Sequence, residues 1–177
     1  MKIADGDSTD ASSLVAATLY LLSMFCANGC VVEHFVGLSS EDRTLRFLYA
    51  QPDFGWITRY VVDLDLARQT MLALTTSDGE IVALLQICRY RFARRIQAEP
   101  AFTVSPAYRG RGLAHRMMRL AVTHGRICGL DALTATVDCG NRAMLAVLSA
   151  AGMALSRVDD TFEGTLEIDT ADALLAA

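Results

Sequence analysis

The spacing of apolar positions assigns most of the elements in the second half of the chain. Leu113, Ala114, Met117, Met118, Leu120 and Ala121 recur three and four residues apart. That period predicts a helix, with Arg111, His115, Arg116 and Arg119 on its polar face. Ahead of it, Ala98 to Val104 reads as a strand and Ser105 to Tyr108 as a turn. Gln69 to Thr76 and Ile81 to Tyr90 are β-rich runs divided by Ser77-Asp78-Gly79-Glu80. An Asp-Gly pair between two apolar runs is a hairpin signal. Downstream, Ala132 to Val137 reads as a strand and Arg142 to Ala151 as a helix stopped by Gly152. Met153 to Val158 and Thr161 to Ile168 form two final strands joined by Asp159-Asp160.

The first third is less regular. From Ala11 to Val32 the chain carries no charge, and it reads as a helix of roughly 15 residues capped by Asp7, Ser8 or Asp10. Asn28-Gly29 is expected to stop it, leaving Val31 to Gly37 unassigned. A second helix follows in LSSEDRTLRFL, with Ser39 or Ser40 as its cap, Glu41 and Asp42 in its first turn, and Leu45, Leu48 and Tyr49 on its buried side. Gln51-Pro52-Asp53-Phe54-Gly55 breaks it. Residues 57–62 read as a short strand or extended lead-in, and Arg89, Arg91, Arg94 and Arg95 as a basic loop, solvated in preference to contacting phosphate or substrate. Taken in order, these elements predict a mixed sheet with helices on both faces, a three-layer α/β (α+β) domain.

With 177 residues, 53% of them hydrophobic and 20% charged, residues 1–177 form one globular domain. A net charge of −4 excludes non-specific nucleic-acid binding as the main activity. Lys2 is the sole lysine, so the positive charge is almost entirely arginine. The five cysteines lack repeated CxxC pairs and read as reduced thiols of a cytoplasmic protein, with no metal site. The uncharged run from Ala11 is long enough to span a bilayer. Its interspersed Ser12, Ser13, Thr18 and Ser23, and the acidic start around Asp5, Asp7 and Asp10, favour a core or interface helix and a chain without a membrane partner.

The candidate chemistry lies in Glu99 to Ala114, EPAFTVSPAYRGRGLA. A strand that leads through Arg-Gly-Arg-Gly into a helix brings backbone close to a ligand and points unpaired amides at an anion. No Gly-Lys-Ser/Thr follows, which excludes a P-loop. The dinucleotide fingerprint also fails, because His115 stands where a small residue is required. Two readings remain on this evidence: a phosphate or pyrophosphate site, or a glycine-rich helix start that binds nothing.

Arg109-Gly110-Arg111-Gly112-Leu113-Ala114 resembles the Arg/Gln-x-x-Gly-x-Gly/Ala signature of the GCN5-related N-acetyltransferases (GNAT). Asn141-Arg142-Ala143-Met144, ending in Ala151-Gly152-Met153, is similar to that family's Asn-led second motif. The segment from Gly37 to Phe47 is similar to one in a subset that includes the bacterial protein-lysine acetyltransferases. The resemblance is clearest over residues 37–169.

It implies the GNAT fold, an acyl-CoA N-acyltransferase fold, and transfer of acetyl from acetyl-CoA to a primary amine without a metal. Phe102, Thr103 and Val104 would pair with the pantetheine arm. Arg109, Gly110, Arg111, Gly112, Leu113 and Ala114 would hold the pyrophosphate, and Asn141 and Met144 would border the lower part of the cosubstrate. Pro100 would mark a strand that bulges and splays from its neighbour. The Ala98-Glu99 pair matches the position of the subset's catalytic glutamate, so Glu99 is the expected general base and Asp138 the reserve. Leu148 stands where the family often has a tyrosine acid, with Ser149 beside it. The acceptor implied is a protein lysine or, as the alternative, a small-molecule amine or an antibiotic, and a homodimer is compatible with the family. A non-catalytic acyl-CoA-binding module is the alternative.

Overall fold

The computed structural model describes residues 27–48 and 52–169. The start of the uncharged run, Tyr49, Gln51 and the tail from Thr170 lie outside the described residues. Among the described residues, three helices come first: α1 (Ala27–Val36), α2 (Ser40–Phe47) and α3 (Phe54–Val62). Then follow β1 (Gln69–Thr75), β2 (Ile81–Phe92), β3 (Arg95–Val104), α4 (Leu113–Ile127), β4 (Ala132–Asp138), α5 (Arg142–Ala150), β5 (Ala154–Val158) and β6 (Thr161–Glu167). One six-stranded sheet has the order β1-β2-β3-β4-β6-β5. Among the described residues, only the β3–β4 pair is parallel.

Alternation along the strands sorts the core into two layers. Met71, Ala73 and Leu84 face α1 and α3, joining Val31, Phe35, Ile57 and Val61. Leu72, Leu74, Ala83, Leu85 and Ile87 face the other way, onto Met117, Met118 and Ala121 of α4 and Leu148 of α5. The expected three layers are therefore present, and the sheet is mixed.

Several expectations are corrected. Asn28-Gly29 is no stop: both residues lie inside α1, which runs to Val36. Glycine inside a helix costs about 1 kcal/mol, and burial of Val31, Val32, Phe35 and Leu38 outweighs it. Residues 57–62 are helix, not strand. Asp53 caps α3 by accepting from the Trp56 amide at 2.8 Å, and Ile57 and Val61, four apart, are buried on one face. Tertiary burial here overrides the β propensity of Ile-Thr-x-x-Val-Val. Leu48, expected on a buried side, closes α2 in the left-handed region at φ 50° and is 53% exposed.

The basic segment is not a loop either. β2 and β3 pair without interruption from Ala83↔Val104 to Phe92↔Arg95, around a turn whose two residues, Ala93 and Arg94, have φ of 47° and 68°. Positive φ at both turn positions matches the twist of the flanking strands. Arg95 is spent on an ion pair with Glu167 of β6. The same unbroken register shows that Pro100 sits in no bulge. The splay is real, however: β3 and β4 pair only at Gln97↔Ala132 and Ala98↔Leu133, and the strands part just before Pro100. A residue without an N–H is tolerated where a strand edge has lost its partner.

Candidate active site

The parting of β3 from β4 opens a cavity of about 1140 Å³ that runs from Glu99 to the start of α4. Its floor is the free edge of β3. Phe102, Thr103 and Val104 line it, and among the described residues their β4-facing edge has no strand partner. Unpaired strand edges offer N–H and C=O groups to any extended ligand.

At the far end, Gly110, Gly112, Leu113 and Ala114 line the same cavity. Gly112 is the N-cap of α4 with φ 74° and makes no side-chain cap bond, so the first amides of the helix are uncapped. A Cβ built on Gly110 or Gly112 meets no protein atom within 4 Å, which leaves room for a ligand directly against the backbone. Open space, uncapped amides and the positive end of a 15-residue helix make an anion cradle.

Arg109 lines the cavity and ties the cradle to α2. Its Nη2 lies 2.8 Å from Asp42 Oδ2, and its Nε donates to the Val104 carbonyl at 3.2 Å. Burial works to raise the Asp42 carboxyl, yet hydrogen bonds from Arg109 and Ser39 bring it below its ordinary value. Arg111 is placed elsewhere: its guanidinium sits 5.3 Å over the Tyr108 ring and Nη2 donates to the Ala107 carbonyl. Asn141 and Met144 line the cavity, and Asn141 caps α5 by accepting from the Met144 amide at 3.1 Å.

Glu99 is exposed and lines the opposite end. Alternation sets it on one sheet face with Ala101 and Thr103, the face that α1 to α3 cover, beside its cross-strand partner Cys88. Asp138 also lines the cavity, but its Oδ1 accepts from the Gly140 amide at 2.7 Å, closing the turn before α5. Leu148 is buried in the core, and Ser149 is exposed and does not line the cavity.

Sequence reasoning missed a second group of lining residues. Arg46, Phe47, Trp56, Tyr60, Gln86 and Cys88 wall the Glu99 end. The signal was present in Trp56 and Tyr60, four apart, but assigning strand to 57–62 dispersed it. His34 was missed as well. It is 7% exposed, and its Nε2 lies 2.7 Å from Thr103 Oγ1 and its Nδ1 3.1 Å from the Ile81 carbonyl. Burial pushes its pKa down, against the Ile81 hydrogen bond and Glu80. Among the described residues, no cluster of His, Cys, Asp and Glu could hold a metal, and no helix is long and apolar enough to cross a membrane.

A split sheet with an anion cradle at one end and a carboxylate at the other suits a long ligand that carries an anionic group. The description "Acetyltransferase (GNAT) family" matches residues 41–153, and the chain belongs to that family. It is an acetyl-CoA-dependent N-acetyltransferase acting on an amine. No curated protein sequence matches significantly.

Among solved structures, the GNAT domain of S. lividans PAT superposes with a TM-score of 0.67 at 24% identity, covering 79% of this chain and 84% of that one. Spermidine N-acetyltransferase from Vibrio cholerae, in complex with CoA and spermine, gives 0.66 at 13% identity, covering 82% and 93%. A phosphinothricin acetyltransferase from Sinorhizobium meliloti, in complex with AcCoA, gives 0.63 at 14%, covering 81% and 88%.

Proposed function

We propose that the chain transfers acetyl directly to a primary amine with Glu99 as general base. The observation that carries this reading is the shared cavity, which has Arg109, Gly110, Gly112, Leu113 and Ala114 at one end and the Glu99 carboxylate at the other. Acetyl-CoA, when bound, supplies an activated acyl thioester. The residues present suit it: the cradle amides of Gly110 to Ala114 for the pyrophosphate, the free edge at Phe102, Thr103 and Val104 for the pantetheine amides, and Asn141 and Met144 along the lower wall.

An alkylammonium has a pKa of about 10.4, so at neutral pH a base must take its proton before nitrogen can attack a carbonyl. Glu99 does so on the wall where no other lining residue is acidic. Asp138 is the weaker candidate, because one of its oxygens is already committed to the Gly140 amide. With Leu148 apolar and buried, no side chain at that position donates to the departing thiolate. A thiolate with an intrinsic pKa of about 8.5 is protonated by water without enzymatic help.

Structural neighbours include a spermidine N-acetyltransferase and a phosphinothricin acetyltransferase, while the segment from Gly37 to Phe47 is similar to one in the bacterial protein-lysine acetyltransferases. The acceptor here is accordingly a protein lysine or a small-molecule amine. The test is release of CoA thiol from acetyl-CoA against a panel of lysine peptides, polyamines and amino acids. Amine-dependent release supports the reading. Tight acetyl-CoA binding with no release for any amine would reduce the chain to a binding module.

A further inference from the structure

The Glu99 end of the cavity has a charge pattern of its own. Trp56 and Tyr60 of α3 are stacked, with ring centroids 5.3 Å apart and planes 10° apart. Phe47 of α2 stands edge-on to both, at 5.0 and 5.1 Å. Arg46 lies in the same wall, its guanidinium carbon 4.9 Å over the Phe47 ring and 5.7 Å over Phe35. The hydrogen bonds it gives to the described residues leave from Nη2, to Gln86 Oε1 and at 3.5 Å to Tyr60 Oη.

Arg46 is half-buried and lines the cavity, yet among the described residues no carboxylate pairs with it. The guanidinium fork matches a carboxylate bidentately. Asp42 on the same helix is already paired with Arg109.

We propose that Arg46 selects an acceptor carrying a carboxylate as well as its amine, with an apolar body lying along Trp56, Tyr60 and Phe47. This rests on the reading that the Glu99 end receives the acceptor. The two charged side chains then address the two ends of one zwitterion, Glu99 the ammonium and Arg46 the carboxylate. Cys88 lies within reach of both fields: burial pushes its thiol up, Arg46 pulls it down and Glu99 adds to the rise. A polyamine would set a second ammonium against Arg46, and a lysine inside a peptide brings no carboxylate. The acceptor class is therefore a small amino acid.

The test is CoA release with matched pairs that differ in the carboxylate: phenylalanine against phenethylamine, tryptophan against tryptamine, and Nα-acetyl-lysine against Nα-acetyl-lysinamide, with spermidine as the polyamine. The expected result is a kcat/KM about tenfold or more higher for the acid of at least one pair, since a hydrogen-bonded charge contributes on that scale. Arg46→Gln and Arg46→Met should both bring that ratio towards one. Equal turnover of both members of every pair, or faster turnover of spermidine, overturns the inference and leaves the acetyltransferase reading standing. A preference for the acid that survives in both Arg46 variants also overturns it. No release with any amine overturns both.

Discussion

Gly112→Ala separates the cost of a left-handed residue from the cost of blocking a ligand. Gly112 has φ 74°, and an alanine Cβ there meets no protein atom within 4 Å. The penalty to the fold is thus conformational, about 1–2 kcal/mol for an L-residue in the left-handed region. For a domain of this size that lowers Tm by about 2–8 °C. The Cβ enters the space above the α4 amides, where the pyrophosphate is assigned.

Gly79→Ala is the matched control. Its φ is 93° and its Cβ also meets nothing within 4 Å, but it lies in the β1–β2 turn and does not line the cavity. Thermal unfolding of the free proteins should show similar losses for the two variants. Calorimetric titration with acetyl-CoA should weaken at least tenfold for Gly112→Ala, or about 1.4 kcal/mol, and stay near wild type for Gly79→Ala. Gly112→Asp, which adds a negative charge, should weaken it further. If Gly112→Ala binds acetyl-CoA within about twofold of Gly79→Ala, the cradle is not the cosubstrate's anion site.

Other consequences concern stability. The lowered pKa of His34 means that the unfolded chain binds the proton more readily. Stability is therefore full above the ordinary value of 6.5 and falls as pH drops from there towards the folded-state value. Tm should decline between pH 7 and 5 more steeply in wild type than in His34→Gln, and parallel profiles would contradict this. Gly164→Ala places a Cβ 2.6 Å from Leu155 Cδ2 and 2.8 Å from Met153 Sδ, an overpacking that should cost about 1–3 kcal/mol in urea unfolding; an unchanged midpoint would show that the β5–β6 hairpin yields freely. Asp42→Asn removes an ion pair whose side chains are 47% and 23% exposed, so the loss should be at most about 1 kcal/mol at pH 7. Because the folded carboxyl titrates below 3.8, that difference should disappear as pH falls below this value. A gap that persists at lower pH would assign it to packing.

What sequence could and could not reveal follows from how local each signal is. The α4 stripe, the Asp78-Gly79 turn, the Ser39 cap with Asp42, and the two glycines of the cradle depend on neighbours a few positions away, and all lie where expected. Gly29 and the β-branched run at 57–62 also carried local signals, but burial against the sheet reversed them. The extension of β2 to Phe92 was hidden because both faces of its end are exposed, which removes the alternation that marks a strand. Arg46, Trp56, Gln86 and Glu99 come from four different elements. Their meeting at one end of the cavity depends on α3 being a helix, so no motif could announce it. The glycine cradle and Glu99 were legible, and the aromatic and Arg46 wall beside Glu99 was not.

Glu99→Gln tests the central claim most directly, because the amide keeps the shape and loses the base. CoA release with a competent amine should fall about 10²–10⁴-fold in kcat, while the Kd for acetyl-CoA stays within about twofold of wild type. Raising the pH should partly restore the variant as free amine accumulates. A kcat within about threefold of wild type at neutral pH would contradict the account and move the base away from Glu99.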